Sequence, residues 1–276
     1  MEDRKKHKVL DHVVGVVKGY KMCFNIDALK KVEPAFANTV VGTEEDEVHG
    51  VAIKLSEESM KRLDAQEFGY DKVKVTVRGY NGRVVEDCSM YMNTKSTMLP
   101  PDKQTPSQRY LDLVVKNAID SDIDEGYINK LKATKAYTAD EETLERRKAL
   151  PAPSSLSPFT VEQLSATKQE LDSGQDRQAP EFGYLSILGY VLKIPISKVF
   201  FKVHLGRDIT AWVLRMFRGE AHGAVDDLGL PPFQDVLELK EDEKEFIRNW
   251  MDHYLDNSEV VGYLEEFLVQ NDVTKM

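Results

Sequence analysis

Cysteine and long apolar runs are the two things this 276-residue sequence has least of. Its two cysteines, Cys23 and Cys88, are too few for a disulfide framework, so we expect buried thiols in a reducing compartment. The charged first residues have no apolar segment of the secretory type behind them. The longest apolar stretch, residues 182–201, is interrupted by two lysines and a proline. The sequence therefore predicts a cytoplasmic protein without a membrane span.

A basic surface is also missing. The formal net charge is −10, and such a chain has no excess of cations for binding nucleic acid. The charge is uneven, because residues 1–150 hold 25 Lys and Arg against 26 Asp and Glu, whereas residues 151–276 hold 12 against 21. A protein partner for the acidic second part is one expectation. We expect no metal site, since no His/Cys spacing typical of metal ligands occurs.

The first half of the chain shows a strand pattern with short helices, which indicates an α+β fold. Residues 13–25 and 48–55 are rich in β-branched and aromatic residues. Residues 73–92 read as a hairpin, since Asn-Gly at their centre is a strong turn signal. Residues 56–67 predict a short capped helix between strands. Residues 105–121 predict an amphipathic helix.

The second half predicts a separate small domain. Residues 149–158 contain three prolines and three serines, a composition typical of linkers. We therefore predict a first domain over residues 1–148, a linker over 149–158 and a second domain over 159–270. Within the second domain, a strand pair is expected near residue 189, and helices are expected over 159–171, 206–217 and 238–257.

Two segments of the first half resemble γ-glutamylcyclotransferases, the AIG2-like family. Residues 46–77 contain a V-x-G-V strand, the sequence L-D-A-Q-E and then G-Y; residues 105–131 contain P-S-Q-R-Y and a following helix. The resemblance covers roughly residues 9–135. It implies a mixed β-barrel with flanking helices.

The resemblance also implies an activity. Members of the family are lyases that cyclise a γ-glutamyl amine or peptide to 5-oxoproline and a free amine, a reaction of glutathione metabolism. By motif, Glu67 takes the role of catalytic acid/base and Tyr110 the role of a tyrosine lining the substrate pocket. The alternative for Glu67 is a solvated residue that ends a short helix. The alternative for Tyr110 is packing in the core.

The sequence departs from the family at its start. The Y-G-S-N loop, whose amides hold the glutamyl end and the oxyanion in the family, does not occur in this chain. The domain is therefore expected to be N-terminally incomplete relative to the family. Two functions stay open: a γ-glutamylcyclotransferase, and a non-catalytic binding or scaffold protein that lacks the substrate loop.

Residues 159–264 resemble the cytochrome-b5-like domain of the membrane-associated progesterone receptor type. The matching pieces include F-T-V-E-Q-L, the strand pair, G-R-D-I-T and the helix around Trp250. Phe200 and Phe201 stand where haem-binding relatives have ligand residues, and phenylalanine cannot ligate iron. His204 is left as the candidate ligand. We expect no haem and no other cofactor, with haem or sterol binding as the remaining alternative.

Overall fold

The structure, a computed structural model, describes residues 7–67, 69–94, 98–173, 181–199, 202–220 and 238–268. The chain divides into two compact units, Met1–Thr138 and Ala139–Met276. Both combine strands and helices, as the α+β prediction requires. Within the described residues, no helix has the length and apolar character needed to cross a membrane.

The first unit contains six strands, and four of them form an antiparallel sheet in the order β4-β1-β5-β6. The strands β2 and β3 pair with each other as a separate two-stranded ribbon. The bounds are β1 Val9–Lys18, β2 Tyr20–Leu29, β3 Glu33–Val41, β4 Glu47–Leu55, β5 Asp71–Gly79 and β6 Val84–Met92. The predicted hairpin over 73–92 is confirmed, since Asp71 of β5 lies opposite Met92 of β6.

The predicted closed barrel is not found among the described residues. Near the end of β6, the ribbon is joined to the sheet by hydrogen bonds of a side chain and not by a continuous ladder of backbone hydrogen bonds. The Asn38 amide nitrogen donates to the Asn93 carbonyl at 2.9 Å, and the Asn93 N–H donates to the Asn38 side-chain oxygen at 3.0 Å. Both residues are buried. One asparagine thus replaces a stretch of strand pairing, and ribbon and sheet remain distinct.

The described part of the first unit also contains three α-helices: α1 Glu57–Gln66, α2 Gln108–Asp120 and α3 Glu125–Lys132. Helix α2 packs Leu111 against Phe24 and Ala35 of the ribbon. Helix α3 packs Tyr127 and Leu131 into a cluster that includes a residue of strand β1. Each of the three helices begins at a Ser or Asp whose side chain accepts a backbone N–H of the first turn, which satisfies an otherwise unpaired donor.

Among its described residues, the second unit contains a four-stranded sheet of order β7-β10-β9-β8 and five α-helices. Its strands are β7 Pro158–Phe159, β8 Phe182–Ile187, β9 Tyr190–Pro195 and β10 Glu259–Leu264. Its helices are α4 Glu141–Lys148, α5 Val161–Ser173, α6 Thr210–Phe217, α7 Glu241–Leu255 and α8 Glu265–Leu268. The core centres on α7, where Trp250 and Tyr254 are 1% exposed and Trp250 meets Trp212 of α6 edge to face at 5.4 Å.

The division between the units falls ahead of the predicted linker. Residues 149–158 and the preceding helix α4 belong to the second unit. Ser157 accepts a hydrogen bond from the Tyr263 N–H at 2.9 Å. Arg147 of α4 donates to Asp252 and Glu245 of α7. The segment that suggested a spacer is therefore part of a folded unit, in which Pro153 is buried.

The G-R-D-I-T sequence fastens the turn between β8 and β9. That turn places Leu188 and Gly189 at φ values of 53° and 79°. The Thr210 hydroxyl accepts the Leu188 N–H at 2.7 Å, and the Asp208 carboxylate accepts the Ser186 hydroxyl at 2.7 Å and the Thr210 N–H at 2.9 Å. Burial raises the pKa of Asp208 to about 6 against these bonds, which lower it. The motif therefore has a structural role here.

His204, the candidate haem ligand, is buried within the second unit, and its exposed fraction is 0%. Its ring lies 4.3 Å from that of Trp212. Burial, with the nearby Arg207 charge, lowers the pKa of His204 to about 4. The neutral imidazole packs on an indole. Phe200 and Phe201 lie outside the described residues.

We predict that replacing Arg147 by alanine destabilises the second unit by about 3 kcal/mol. The change leaves the 1%-exposed Asp252 carboxylate without its Arg147 salt bridge, and breaking a buried pair from one side is costly. Both tryptophans of the protein, Trp212 and Trp250, lie in the second unit, so urea unfolding followed by tryptophan fluorescence reports that unit. The control is Arg146→Ala, whose pair with Asp256 is about one third exposed and should cost below about 1 kcal/mol. Equal losses in the two variants would contradict the prediction.

We predict that Asp208 makes the second unit less stable as the pH rises from about 4 to about 6. Its folded pKa is raised to about 6 from 3.8, so the folded state holds the proton more tightly than the unfolded state. The stabilisation by the protonated Asp208 carboxyl is fully present below the unfolded pKa and is lost as the pH rises through the folded pKa. The total change in the free energy of unfolding is about 2–3 kcal/mol. Urea midpoints of wild type and Asp208→Asn across this range give the difference. A pH-independent difference would refute the prediction.

Candidate functional site

Glu67 lies where helix α1 passes into strand β5. The Ser56 side chain accepts the Ser59 N–H at the start of α1, and the predicted capped helix is confirmed. At the other end the Glu67 N–H donates to the Leu63 carbonyl at 2.9 Å, and its own carbonyl accepts the Tyr70 N–H at 3.1 Å. The Glu67 backbone is therefore held on both sides, while its side chain is half-buried.

Side chains from three elements meet at Asp64, three residues before Glu67. Tyr91 of β6 donates its hydroxyl proton to Asp64 of α1. Lys72 of β5 donates to the same carboxylate at 2.7 Å and lies 5.6 Å from the centre of the Tyr91 ring. Burial raises the pKa of Tyr91, and the Asp64 and Glu67 carboxylates raise it further. Glu67 therefore lies within electrostatic reach of a tyrosine hydroxyl.

Asp64 is the carboxylate of this group that already accepts two side-chain hydrogen bonds. Hydrogen bonds from Lys72 and Tyr91 hold its pKa below the usual range. A carboxylate that accepts an ammonium and a phenol at once has little reason to take a proton, since each bond favours the ionised form. Of the two carboxylates near Tyr91, Glu67 is therefore the better candidate for proton transfer.

Tyr110 is placed by the first turn of α2. Its N–H donates to the Ser107 hydroxyl at 3.0 Å. The ring meets Phe24 and Phe36 edge to face, with centres 6.1 and 5.2 Å away. The Tyr110 hydroxyl accepts the Ala37 N–H at 3.4 Å. The structure thus shows the packing contacts that the alternative interpretation of Tyr110 requires.

Tyr70 is related to both Glu67 and Tyr110. Its N–H donates to the Glu67 carbonyl. Burial raises the pKa of Tyr110, and Glu33 and Tyr70 add to the shift electrostatically.

Sequence reasoning missed a buried carboxylate at the start of α2, the helix that carries Tyr110. Glu33, the first residue of β3, is 6% exposed. It accepts the Ser107 hydroxyl and the Arg109 guanidinium, whose Nε lies 2.8 Å away. Ser107 therefore links Glu33 to the Tyr110 backbone. Only the Pro-Ser start of α2 hinted at this arrangement, because no local pattern relates Glu33 to a helix that begins far along the chain.

A second missed cluster surrounds His49 of the V-x-G-V strand. Its ring stacks on Tyr127 of α3 at 4.4 Å. Nδ1 lies 2.5 Å from the Tyr80 hydroxyl, and Nε2 lies 3.0 Å from Glu47. The Tyr80 oxygen accepts the Asp124 N–H at 3.2 Å. This network ties β4 to the hairpin and to the start of α3.

Within the described ranges, no group of three or more His, Cys, Asp or Glu side chains is arranged to hold a metal ion.

The family match concerns the first unit. Residues 47–131 match the model of the AIG2-like family. That segment runs from β4 to α3 and includes Glu67 and Tyr110. No curated protein matches the chain by sequence.

Solved structures similar to the chain include one described as a gamma-glutamyl cyclotransferase. It is 23% identical, with a TM-score of 0.41 over 52% of this chain and 86% of its own. An uncharacterised protein from Homo sapiens is 24% identical, with a TM-score of 0.41 over the same shares. YkqA from Bacillus subtilis is 18% identical, with a TM-score of 0.38 over 46% of this chain and 47% of its own.

We predict that Glu33→Ala loosens the attachment of α2 to the ribbon and lowers the stability of the first unit by about 3 kcal/mol, because it strips Arg109 and Ser107 of a buried carboxylate. Hydrogen exchange by mass spectrometry should show faster exchange in β3 and α2. The control is Glu57→Ala, which removes an exposed ion pair with Lys61 and should cost below about 1 kcal/mol. Unchanged exchange in Glu33→Ala would show that the buried pair does not hold α2.

Proposed function

We propose that the first unit is a γ-glutamylcyclotransferase-like enzyme that converts a γ-glutamyl amine or peptide to 5-oxoproline and a free amine. The observation that carries the proposal is the position of Glu67. It is a half-buried carboxylate at the helix-to-strand transition of the AIG2-like segment, and it acts electrostatically on Tyr91. The match of residues 47–131 to the family supports it further.

The reaction needs proton transfers more than covalent help from the protein. The substrate's α-amine nitrogen attacks its own γ-carbonyl carbon, and Glu67 takes the proton that this nitrogen gives up. The tetrahedral intermediate carries the negative charge on the former carbonyl oxygen. When the carbon–nitrogen bond to the leaving amine breaks, Glu67 returns the proton to that nitrogen. One carboxylate between the two nitrogens serves both transfers.

Other side chains in the proposal have supporting roles. Lys72 and Tyr91 keep Asp64 ionised, so Glu67 is left as the proton acceptor of the pair. Tyr110 contributes a ring edge and a hydroxyl to the wall that receives the glutamyl portion. The bonds from Ser107 and Ala37 limit how far that wall can move.

A second candidate is a non-catalytic binding or scaffold protein. The observation in its favour is that the chain contains no Y-G-S-N sequence, and stabilisation of the oxyanion usually contributes more than any other effect to the catalysis of such a reaction. In this case Glu67 would end its helix without a chemical role. The proposed cytoplasmic setting and the cytochrome-b5-like character of the second unit stay predictions under either candidate.

The test of the enzyme proposal is release of 5-oxoproline from γ-glutamyl dipeptides by the full chain, measured by chromatography. Glu67→Gln keeps the shape of the side chain but cannot carry a proton, so the rate should fall by about 10²- to 10⁴-fold. The control is Glu58→Gln, an exposed carboxylate in the first turn of the same helix, which should keep the wild-type rate.

Two outcomes would overturn the proposal in different ways. A similar rate in wild type and Glu67→Gln would remove Glu67 from the mechanism while leaving the activity. No product from the folded wild type with any γ-glutamyl dipeptide would favour the non-catalytic protein.

A further inference from the structure

A cleft in the second unit lies between helix α4, the proline-containing segment after it, and helix α7. Its volume is about 600 Å³, within the range of small-molecule sites in proteins. Most of its wall is apolar and comes from three parts of the unit: Leu144 and Leu150, then Leu188 and Tyr190, then Met251. The segment predicted as a linker thus forms one side of a cleft.

The two helical walls of the cleft are held at a fixed separation. The Arg147 guanidinium of α4 donates to Asp252 at 2.9 and 2.6 Å, to Glu245 at 3.0 Å and to Asn249 at 2.9 Å. Asp252 is 1% exposed. Such a saturated network leaves α4 little freedom to close onto α7, so the cleft is formed before any ligand arrives.

The charged groups that line the cleft are unbalanced. Three are cations, Arg147, Lys148 and Arg248, and one is the Asp252 carboxylate, which Arg147 already neutralises. Arg248, whose side chain is 23% exposed, makes long contacts, at 3.3 Å to Glu241 and 3.5 Å to Glu245. Lys148 pairs with Glu145 at 2.7 Å in an exposed position. Long hydrogen bonds are weak and exposed pairs contribute little, so Arg248 and Lys148 can exchange these partners for a ligand anion.

We propose that this cleft binds a small amphipathic carboxylate: an apolar chain or ring against the leucines, Tyr190 and Met251, with the carboxylate on Arg248 and Lys148. The wall has few polar groups that could form hydrogen bonds with a sugar or a peptide backbone. The burial of an apolar ligand body is favourable, because apolar surface of the ligand and of the wall is removed from water. The site lies wholly within the second unit. It does not depend on cyclotransferase activity in the first.

The test uses decanoate as the probe, with decanol and decylamine as matched uncharged and cationic probes, titrated calorimetrically into the full chain. Decanoate should bind at least about tenfold more tightly than either, because a charge-assisted hydrogen bond to arginine is lost in the other two. Arg248→Gln should lower decanoate affinity toward the decanol level, and the double variant Arg248→Gln, Lys148→Gln should bring it to that level. The control Lys202→Gln changes an exposed cation of the same unit that does not line the cleft and should have no effect.

A blocking variant locates the site independently of charge. Ala152 is exposed and lines the cleft, so Ala152→Trp should fill the opening without disturbing the fold, and decanoate binding should be lost while the tryptophan-monitored unfolding stays unchanged. Three results would each overturn the proposal: no decanoate binding, equal affinity for the three probes, or full decanoate affinity in folded Ala152→Trp.

Discussion

A charge that is removed from water must be matched inside the protein, and each unit of this chain contains such a match. In the first unit the buried Glu33 carboxylate is bound by Ser107 and Arg109. In the second unit Asp252 is bound by Arg147. Each pair joins elements that are distant in sequence, and removal of either partner leaves a desolvated charge behind. The position of α2, which carries Tyr110, and of α4, which forms the cleft wall, follows from these two pairs.

The candidate site of the first unit combines a rigid backbone with side chains from several elements. Glu67 is held by hydrogen bonds with Leu63 and Tyr70 within its own segment. Three residues before it, Lys72 from β5 and Tyr91 from β6 converge on Asp64. The difference in environment between the two carboxylates therefore arises from the sheet, because the sheet decides which of them receives the lysine and the tyrosine.

In the second unit, a motif that suggested the cytochrome-b5-like resemblance stabilises the fold. Asp208 and Thr210 of G-R-D-I-T bind the turn at Leu188 and Gly189, where positive φ values leave backbone groups that the strand ladder does not reach. His204, the ligand candidate, packs in the core against Trp212. The residues that point to ligand binding are different ones, on α4 and α7, and they follow from the placement of a segment whose composition is that of a spacer.

The features that the sequence determined by itself follow from interactions between residues that are close together in the chain. The β5–β6 hairpin follows from Asn81-Gly82, helix α1 from its Ser56 cap, and the position of Glu67 from the short stretch that ends that helix; each depends on neighbours within a few residues. Tertiary structure decided the rest: the ribbon that meets the sheet through Asn38, the boundary at Thr138, the pairing of Glu33 with Arg109 and the cleft beside Arg147. These depend on the burial of charges and amides whose partners lie far along the chain, and burial is a property that no local pattern contains.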